Sequence, residues 1–181
     1  MADYKIIITG PVGAGKTTAI SVLSDIPPII TDESASDMTL ERKQRTTVAM
    51  DYGLMKLDST ERVHLYGTPG QERFNFMWEI LTEGGLGLVL LIDNSRSEPF
   101  RDLQFFLDAF KKFIKTTAVT IGITRMDEKD SPSINDYHSH VSSLGWPKLP
   151  ILEVDAREKD DMSSLVQSLI YSLDPTLAGC I

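Results

Sequence analysis

The stretch Gly10-Pro11-Val12-Gly13-Ala14-Gly15-Lys16-Thr17 places glycines, a lysine and a hydroxyl at the spacing GxxxxGK[ST]. Glycines let a backbone curl so that successive N–H groups point inward, and a helix starting at Lys16 would add its partial positive charge. Gly10, Gly13, Ala14, Gly15, Lys16, Thr17 and Thr18 therefore form a candidate phosphate-binding set. Lys16 would reach the outer phosphates, and the Thr17 hydroxyl would face a Mg²⁺ bridging them. The competing reading is a chance glycine-rich turn. The flanks argue against it: Lys5-Ile6-Ile7-Ile8-Thr9 reads as a buried strand and Thr18 to Leu23 as the start of a helix.

The elements that must position this loop follow in chain order. Residues 25–37 hold prolines and small polar residues without a period, and residues 27–46 are marked as a candidate switch segment. Residues 47–57 and 62–66 read as a hairpin around Asp58-Ser59-Thr60, and its second strand runs into the glycine-rich segment Gly67-Thr68-Pro69-Gly70-Gln71-Glu72-Arg73-Phe74. An apolar helix follows over 76–81. Residues 86–93 and 118–124 are continuous apolar runs, as expected of central strands covered on both faces. The spacing predicts helices over 98–115, 133–144 and 162–173, with a last strand at 149–154. Strands alternating with helices predict an α/β fold: six strands, mostly parallel, with one antiparallel edge strand and helices on both faces. The loops at 10–17, 67–71, 124–127 and 155–157 all follow strands, at the carboxyl end where such sheets bind ligands.

Composition narrows the partners. A net charge of −8 with dispersed acidic residues argues against nucleic acid, and the basic cluster Arg42-Lys43-Gln44-Arg45 reads as a solvated loop. The lone cysteine, Cys180, excludes an intrachain disulfide and is not the fourth residue from the end that prenylation requires; Ala2 offers no myristoylation glycine. No apolar run approaches a membrane-spanning length and the start has no secretory pattern, so a cytoplasmic location without an integral membrane segment is expected. Length fits one domain over residues 1–176, with a short tail at 177–181.

Taken together, the motifs resemble those of a Ras-like small GTPase of the P-loop NTPase class over nearly the whole chain. Thr47-Val48-Ala49-Met50-Asp51-Tyr52 is similar to the Thr-Ile-Gly-Val-Asp-Phe of Rab-type switch I, and Thr68 to Phe74 to the switch II segment that begins Asp-Thr-Ala-Gly-Gln-Glu-Arg-Phe. By this likeness Lys16, Thr47 and Gln71 would be catalytic. Thr17 and Thr47 would bind Mg²⁺, with Thr46 the fallback for Thr47. The Gly70 amide would bond the γ-phosphate and Gln71 would orient water. Thr124-Arg125-Met126-Asp127 stands where the family carries Asn-Lys-x-Asp, and Asp155-Ala156-Arg157 where it carries Ser-Ala-Lys. Thr124, Arg125, Asp127, Asp155, Ala156 and Arg157 are thus the implied base-binding residues. Asp127 would accept from the paired N1 and N2 donors of guanine, a pair that adenine lacks.

The main departure is Gly67, where most of the family carries an aspartate that supports Mg²⁺ through water. Asp93, which ends an apolar strand, is the alternative for that role. The departure resembles bacterial gliding-motility GTPases, and a bacterial signalling or polarity switch is the expected subtype. The expectation is a regulatory GTPase that binds GTP and GDP with Mg²⁺ and hydrolyses slowly. A GTPase-activating protein and an effector would engage residues 27–47 and 67–78, with Phe74, Phe76, Met77 and Trp78 as the candidate surface; the competing reading packs at least two of these four against the helix at 98–115. Arg42, Arg45 and Arg73 are candidates for an arginine acting in cis. Two alternatives stay open: a GTP-dependent interaction module with little hydrolysis, and a small P-loop kinase, which the lack of an arginine-rich lid segment disfavours.

Overall fold

A computed structural model describes residues 2–30, 50–57, 59–71, 75–127 and 131–173. Six strands, β1 (Ala2–Thr9), β2 (Asp51–Lys56), β3 (Glu61–Gly67), β4 (Gly87–Asp93), β5 (Ala118–Thr124) and β6 (Ile151–Glu153), form one sheet in the order β2-β3-β1-β4-β5-β6. Only β2 is antiparallel to its neighbour; the other pairs are parallel. The helices are α1 (Lys16–Leu23), α2 (Asn75–Thr82), α3 (Pro99–Ala109), α4 (Lys111–Ile114), α5 (Ile134–Ser143) and α6 (Lys159–Leu173). This is the Ras-like P-loop architecture, with α1 and α6 on one face of the sheet and α2, α3, α4 and α5 on the other.

The period-two geometry of a strand sorts the core between those faces. On β1, Ile6 and Ile8 pack with Ile20, Leu23, Leu165 and Leu169, whereas Ile7 between them packs with the opposite cluster around Trp78, Leu103 and Phe106. On β4, Val89 and Leu91 join the first set, and Leu88, Leu90 and Ile92 the second. Every residue of β4 and β5 is buried. Each such leucine or isoleucine contributes about 1.5–3 kcal/mol on burial, so the two central strands are the rigid floor from which the loops project.

Three boundaries differ from the sequence reading. The helix expected over 98–115 divides at Phe110, whose backbone enters the bridge region (φ −95°, ψ 9°) while its ring stacks on Trp78 at 5.1 Å. The last strand is shorter than 149–154: Pro150 accepts from the Ile121 amide but has no N–H to return, so pairing starts at Ile151. The last helix starts earlier, at Lys159, with Asp160 and Asp161 in its first turn, where acidic groups offset the helix dipole. Residues 31–49, most of the expected switch segment, lie outside the described residues, as do position 176 and the tail at 177–181. At the near edge of that segment, Ile29 and Tyr52 exchange backbone hydrogen bonds of 2.9 and 2.8 Å.

Candidate functional site

At the carboxyl end of β1 the chain turns through Gly10 (φ 145°), Gly13 (φ 84°) and Gly15 (φ 98°), left-handed conformations that residues with a Cβ rarely adopt. Gly15 caps α1 without a side-chain hydrogen bond, and the first turn carries no acidic residue. No side chain caps the start of α1 among the described residues, the arrangement found where helix N-termini receive anions. The Lys16 ammonium lies back over the loop, donating to the carbonyls of Gly10 (2.9 Å) and Pro11 (2.8 Å).

The segment after β3 closes onto this loop. The Thr68 amide donates to Ile8 O at 2.9 Å, and the Thr9 and Thr68 hydroxyls lie 2.7 Å apart. A Cβ on Gly70 would fall 2.7 Å from both Lys16 Nζ and the Val12 amide nitrogen. Only glycine brings its backbone this close to the loop. Gln71, next in the chain, is half-buried. Behind the segment, Trp78 Nε1 donates to Pro69 O at 3.2 Å, and its ring stacks on Phe106 (5.2 Å) and Phe110. Trp78 is 3% exposed and anchors the segment from inside, packed against the stretch 98–115 as the competing sequence reading allowed, so it leaves the candidate partner surface. Phe76 is 61% exposed and Ile80 66% exposed; Met77 is half-buried, and Phe74 lies outside the described residues.

The Thr17 hydroxyl donates to Asp51 Oδ2 at 2.5 Å. Thr47, its fallback Thr46, and the candidate arginines Arg42, Arg45 and Arg73 lie outside the described residues. Asp93, the alternative metal-supporting aspartate, is committed elsewhere. Its Oδ1 accepts from the Ser95 amide (2.9 Å) and hydroxyl (2.6 Å), and its Oδ2 pairs with the Arg125 guanidinium. A carboxylate held by these three donors is turned to the other end of the cleft, so the alternative is set aside.

That other end is a cleft of about 690 Å³ lined by Gly13, Ala14, Gly15 and Thr18 on one side and by residues 124–127, 153–157 and Asp161 on the other. The Thr124 hydroxyl lies 3.2 Å from Ile92 O and 3.5 Å from Ala14 O, tying β5 to the phosphate loop. Arg125 adopts φ 57°, a left-handed backbone that costs a non-glycine residue of order 1–3 kcal/mol and is held here by the ion pair to Asp93. The Asp127 carboxylate is exposed and makes no hydrogen bond or ion pair among the described residues. Asp155 binds the Arg157 side chain through Nε (2.9 Å) and Nη2 (2.6 Å) and accepts from its amide (2.9 Å). These hydrogen bonds hold the Asp155 pKa down to about 2 and raise that of Arg157. Ala156 is buried, and a Cβ on Gly15 would come 2.8 Å from its own.

The structure thus brings Gly13, Ala14, Gly15 and Thr18 to one side of the cleft and Thr124, Arg125, Asp127, Asp155, Ala156 and Arg157 to the other, with Gly70 packed on the glycine loop beside Lys16. Sequence reasoning missed three side chains. Asp161 accepts from the Asp155 amide at 2.8 Å and fixes that loop to α6. Arg96, gripped by Asp102 at 2.5 Å, reaches Val12 O at 3.4 Å, and no local pattern marks it. Asp51 was visible inside the switch I likeness but was assigned no role.

Sheet order, glycine loop and cleft define the chain as a Ras-like P-loop protein. Residues 8–143 match the family described as "Conserved hypothetical ATP binding protein", and the chain belongs to that family. It is also similar to an uncharacterized protein of Methanocaldococcus jannaschii, 27% identical over 93% of this chain and 96% of that protein. Likewise it resembles GTP-binding protein YPT1 of Saccharomyces cerevisiae (21% identical; 97% of this chain, 81% of that protein) and Ras-related protein RabC of Dictyostelium discoideum (18%; 96% and 85%). These likenesses support the Ras-like class and not the gliding-motility type suggested by Gly67. Among the described residues no helix is long and apolar enough to cross a membrane.

Proposed function

We propose that the protein is a guanine-nucleotide switch that binds GTP and GDP with Mg²⁺ and hydrolyses GTP slowly. The observation that carries this reading is the single cleft in which an uncapped helix N-terminus and the exposed Asp127 carboxylate face a common space. Polyphosphate would lie on the amides of residues 13–18, with Lys16 turning from the Gly10 and Pro11 carbonyls to phosphate oxygens. Asp127 would accept from guanine N1 and N2, and the Ala156 amide would meet the base carbonyl. Thr124 would position the base loop against the phosphate loop, while Arg125, Asp155 and Arg157 would form its walls.

Gln71 and Thr47 would act on the γ-phosphate side, Gln71 orienting water and Thr47 completing the metal's ligands with Thr17. Oxygen donors suit Mg²⁺, and among the described residues no cluster of three His, Cys, Asp or Glu would hold a metal independently of nucleotide. Bound Mg²⁺ would neutralise charge developing on the phosphates. The exposed Phe76 and Ile80 lie just beyond the segment that meets the γ-phosphate, which favours residues 67–78 as the surface read by an effector or GTPase-activating protein.

A second reading, ATP binding, is favoured by the family's description and by the threonine at 124 in place of asparagine. Equilibrium binding of GTP, GDP, ATP and ADP to nucleotide-stripped protein, with and without Mg²⁺, separates the two. Guanine-only binding is expected; equal binding of ATP would remove Asp127 as base reader and overturn the guanine switch.

A further inference from the structure

We propose that Asp51 supplies the carboxylate that supports a divalent cation beside Thr17, filling from β2 the place that Gly67 leaves empty on β3. The inference rests on the nucleotide-binding reading above and assigns a metal-supporting residue that the sequence likeness left missing.

Three observations converge on Asp51. First, its Oδ2 accepts a 2.5 Å hydrogen bond from the Thr17 hydroxyl, the one group in the phosphate loop suited by position and chemistry to a Mg²⁺. Second, Asp51 stands directly opposite Gly67 in the antiparallel β2–β3 ladder, and Gly67 in turn pairs with Ile8 on the strand that feeds the phosphate loop. Opposed residues in a ladder share a face, so a carboxylate on either one projects into the same space. A Cβ built on Gly67 would lie 2.8 Å from Ile20 Cδ1, the movable end of that side chain, 3.1 Å from Asp51 Cβ and 3.6 Å from Asp51 Oδ2. An aspartate at 67 and the present Asp51 therefore compete for one volume, and this chain fills it from β2.

Third, the Asp51 carboxylate is paired with no Lys, Arg or His among the described residues, its side-chain partner there being Thr17. A half-buried carboxylate beside the glycine loop offers a hard oxygen donor to a cation held at Thr17. Mg²⁺ usually relies on one or two protein oxygens, phosphate and its own water. Asp51 would hold that water and orient the Thr17 hydroxyl, acting as a positioning residue rather than a catalytic one.

The test reads metal affinity rather than turnover. Fluorescent GDP and ATP analogues are titrated into nucleotide-stripped wild type, Asp51→Asn, and the exchange variant Asp51→Gly with Gly67→Asp, from excess chelator to saturating Mg²⁺; Mn²⁺ binding to each loaded protein is followed by electron paramagnetic resonance. Asp51→Asn is expected to bind nucleotide as wild type in chelator but to need about tenfold or more Mg²⁺ and Mn²⁺ for the metal-dependent gain. The exchange variant, in which the carboxylate returns to β3, should recover most of that loss. A wild-type metal requirement in Asp51→Asn overturns the inference and leaves nucleotide binding standing. Should Asp51→Asn not fold, the exchange variant decides: near-wild-type metal affinity supports the inference, and a lasting tenfold loss overturns it. Failure of wild type to bind any nucleotide in either condition overturns the function and this inference together.

Discussion

The two ends of the cleft are built on opposite principles. At the phosphate end the recognising groups are main-chain: left-handed glycines, an uncapped helix start and the close approach of Gly70. At the base end they are side chains already engaged with one another, Arg125 with Asp93 and Arg157 with Asp155, while Asp127 is exposed and makes no hydrogen bond among the described residues. The difference teaches where specificity can vary. A backbone cradle tolerates few substitutions, because an added Cβ meets backbone at Gly10 and Gly70 and the Ala156 methyl at Gly15. Paired side chains can be exchanged as pairs, and this chain carries Thr124, Arg125 and Asp155 where its likeness carries other residues.

The same contrast holds between helix starts. Ser133 and Asp136 close a reciprocal capping box on α5, and their hydrogen bonds lower the Asp136 pKa. That helix satisfies two of its N-terminal donors, the Ser133 and Asp136 amides, from its own side chains. The start of α1 has no such cap.

Removing the one cation of the phosphate cradle should break the contrast most strongly. Lys16→Ala is expected to weaken nucleotide binding about 100-fold, from the loss of roughly 3 kcal/mol of charged hydrogen bonding, as read by fluorescence titration. Unchanged binding would place the ligand elsewhere. At the base end, Asp127→Asn should cut the preference for guanine over adenine by about tenfold or more, because one acceptor becomes a donor facing donors. Competition between GDP and ADP measures it directly.

Gln71→Leu should lower single-turnover hydrolysis while leaving GDP affinity intact, and an unaltered rate would take Gln71 out of the mechanism. Gly15→Ala joins the two ends through a single methyl. It imposes a Cβ at φ 98° and 2.8 Å from Ala156, so a loss of about 1–2 kcal/mol and a fall of roughly 2–8 °C in Tm are expected by calorimetry.

The smallest effect is acid stability at the base end. Asp155 is held at about 2 against an ordinary 3.8, so its contribution is complete above pH 3.8 and disappears as pH falls from there through about 2. Asp155→Asn should therefore flatten the change in Tm between pH 4 and 2 slightly. A change confined to higher pH would assign the acid limb to other groups.

Local pattern carried the glycine loop and the six strands, because a glycine motif and short apolar runs are written in neighbouring residues; which face each strand residue takes came from the packing. Local pattern left Trp78 open between a partner surface and the core, because an aromatic residue beside a glycine-rich loop looks alike whether it points out to a partner or in to Phe106 and Phe110. It gave no sign of the break at Phe110, since apolar spacing continues through it.

What the sequence determined by itself is the chemistry available: a phosphate-binding loop, a glycine where an aspartate was expected, and a carboxylate at 127. What only the tertiary structure decided is which residues serve together. Asp51 meets Thr17 across 34 residues, Arg125 meets Asp93 across 32, and Arg96 reaches Val12 across 84. The physical reason is that a ladder register and a parallel crossover fix such pairings through hydrogen bonds between distant strands, and no local spacing encodes that distance.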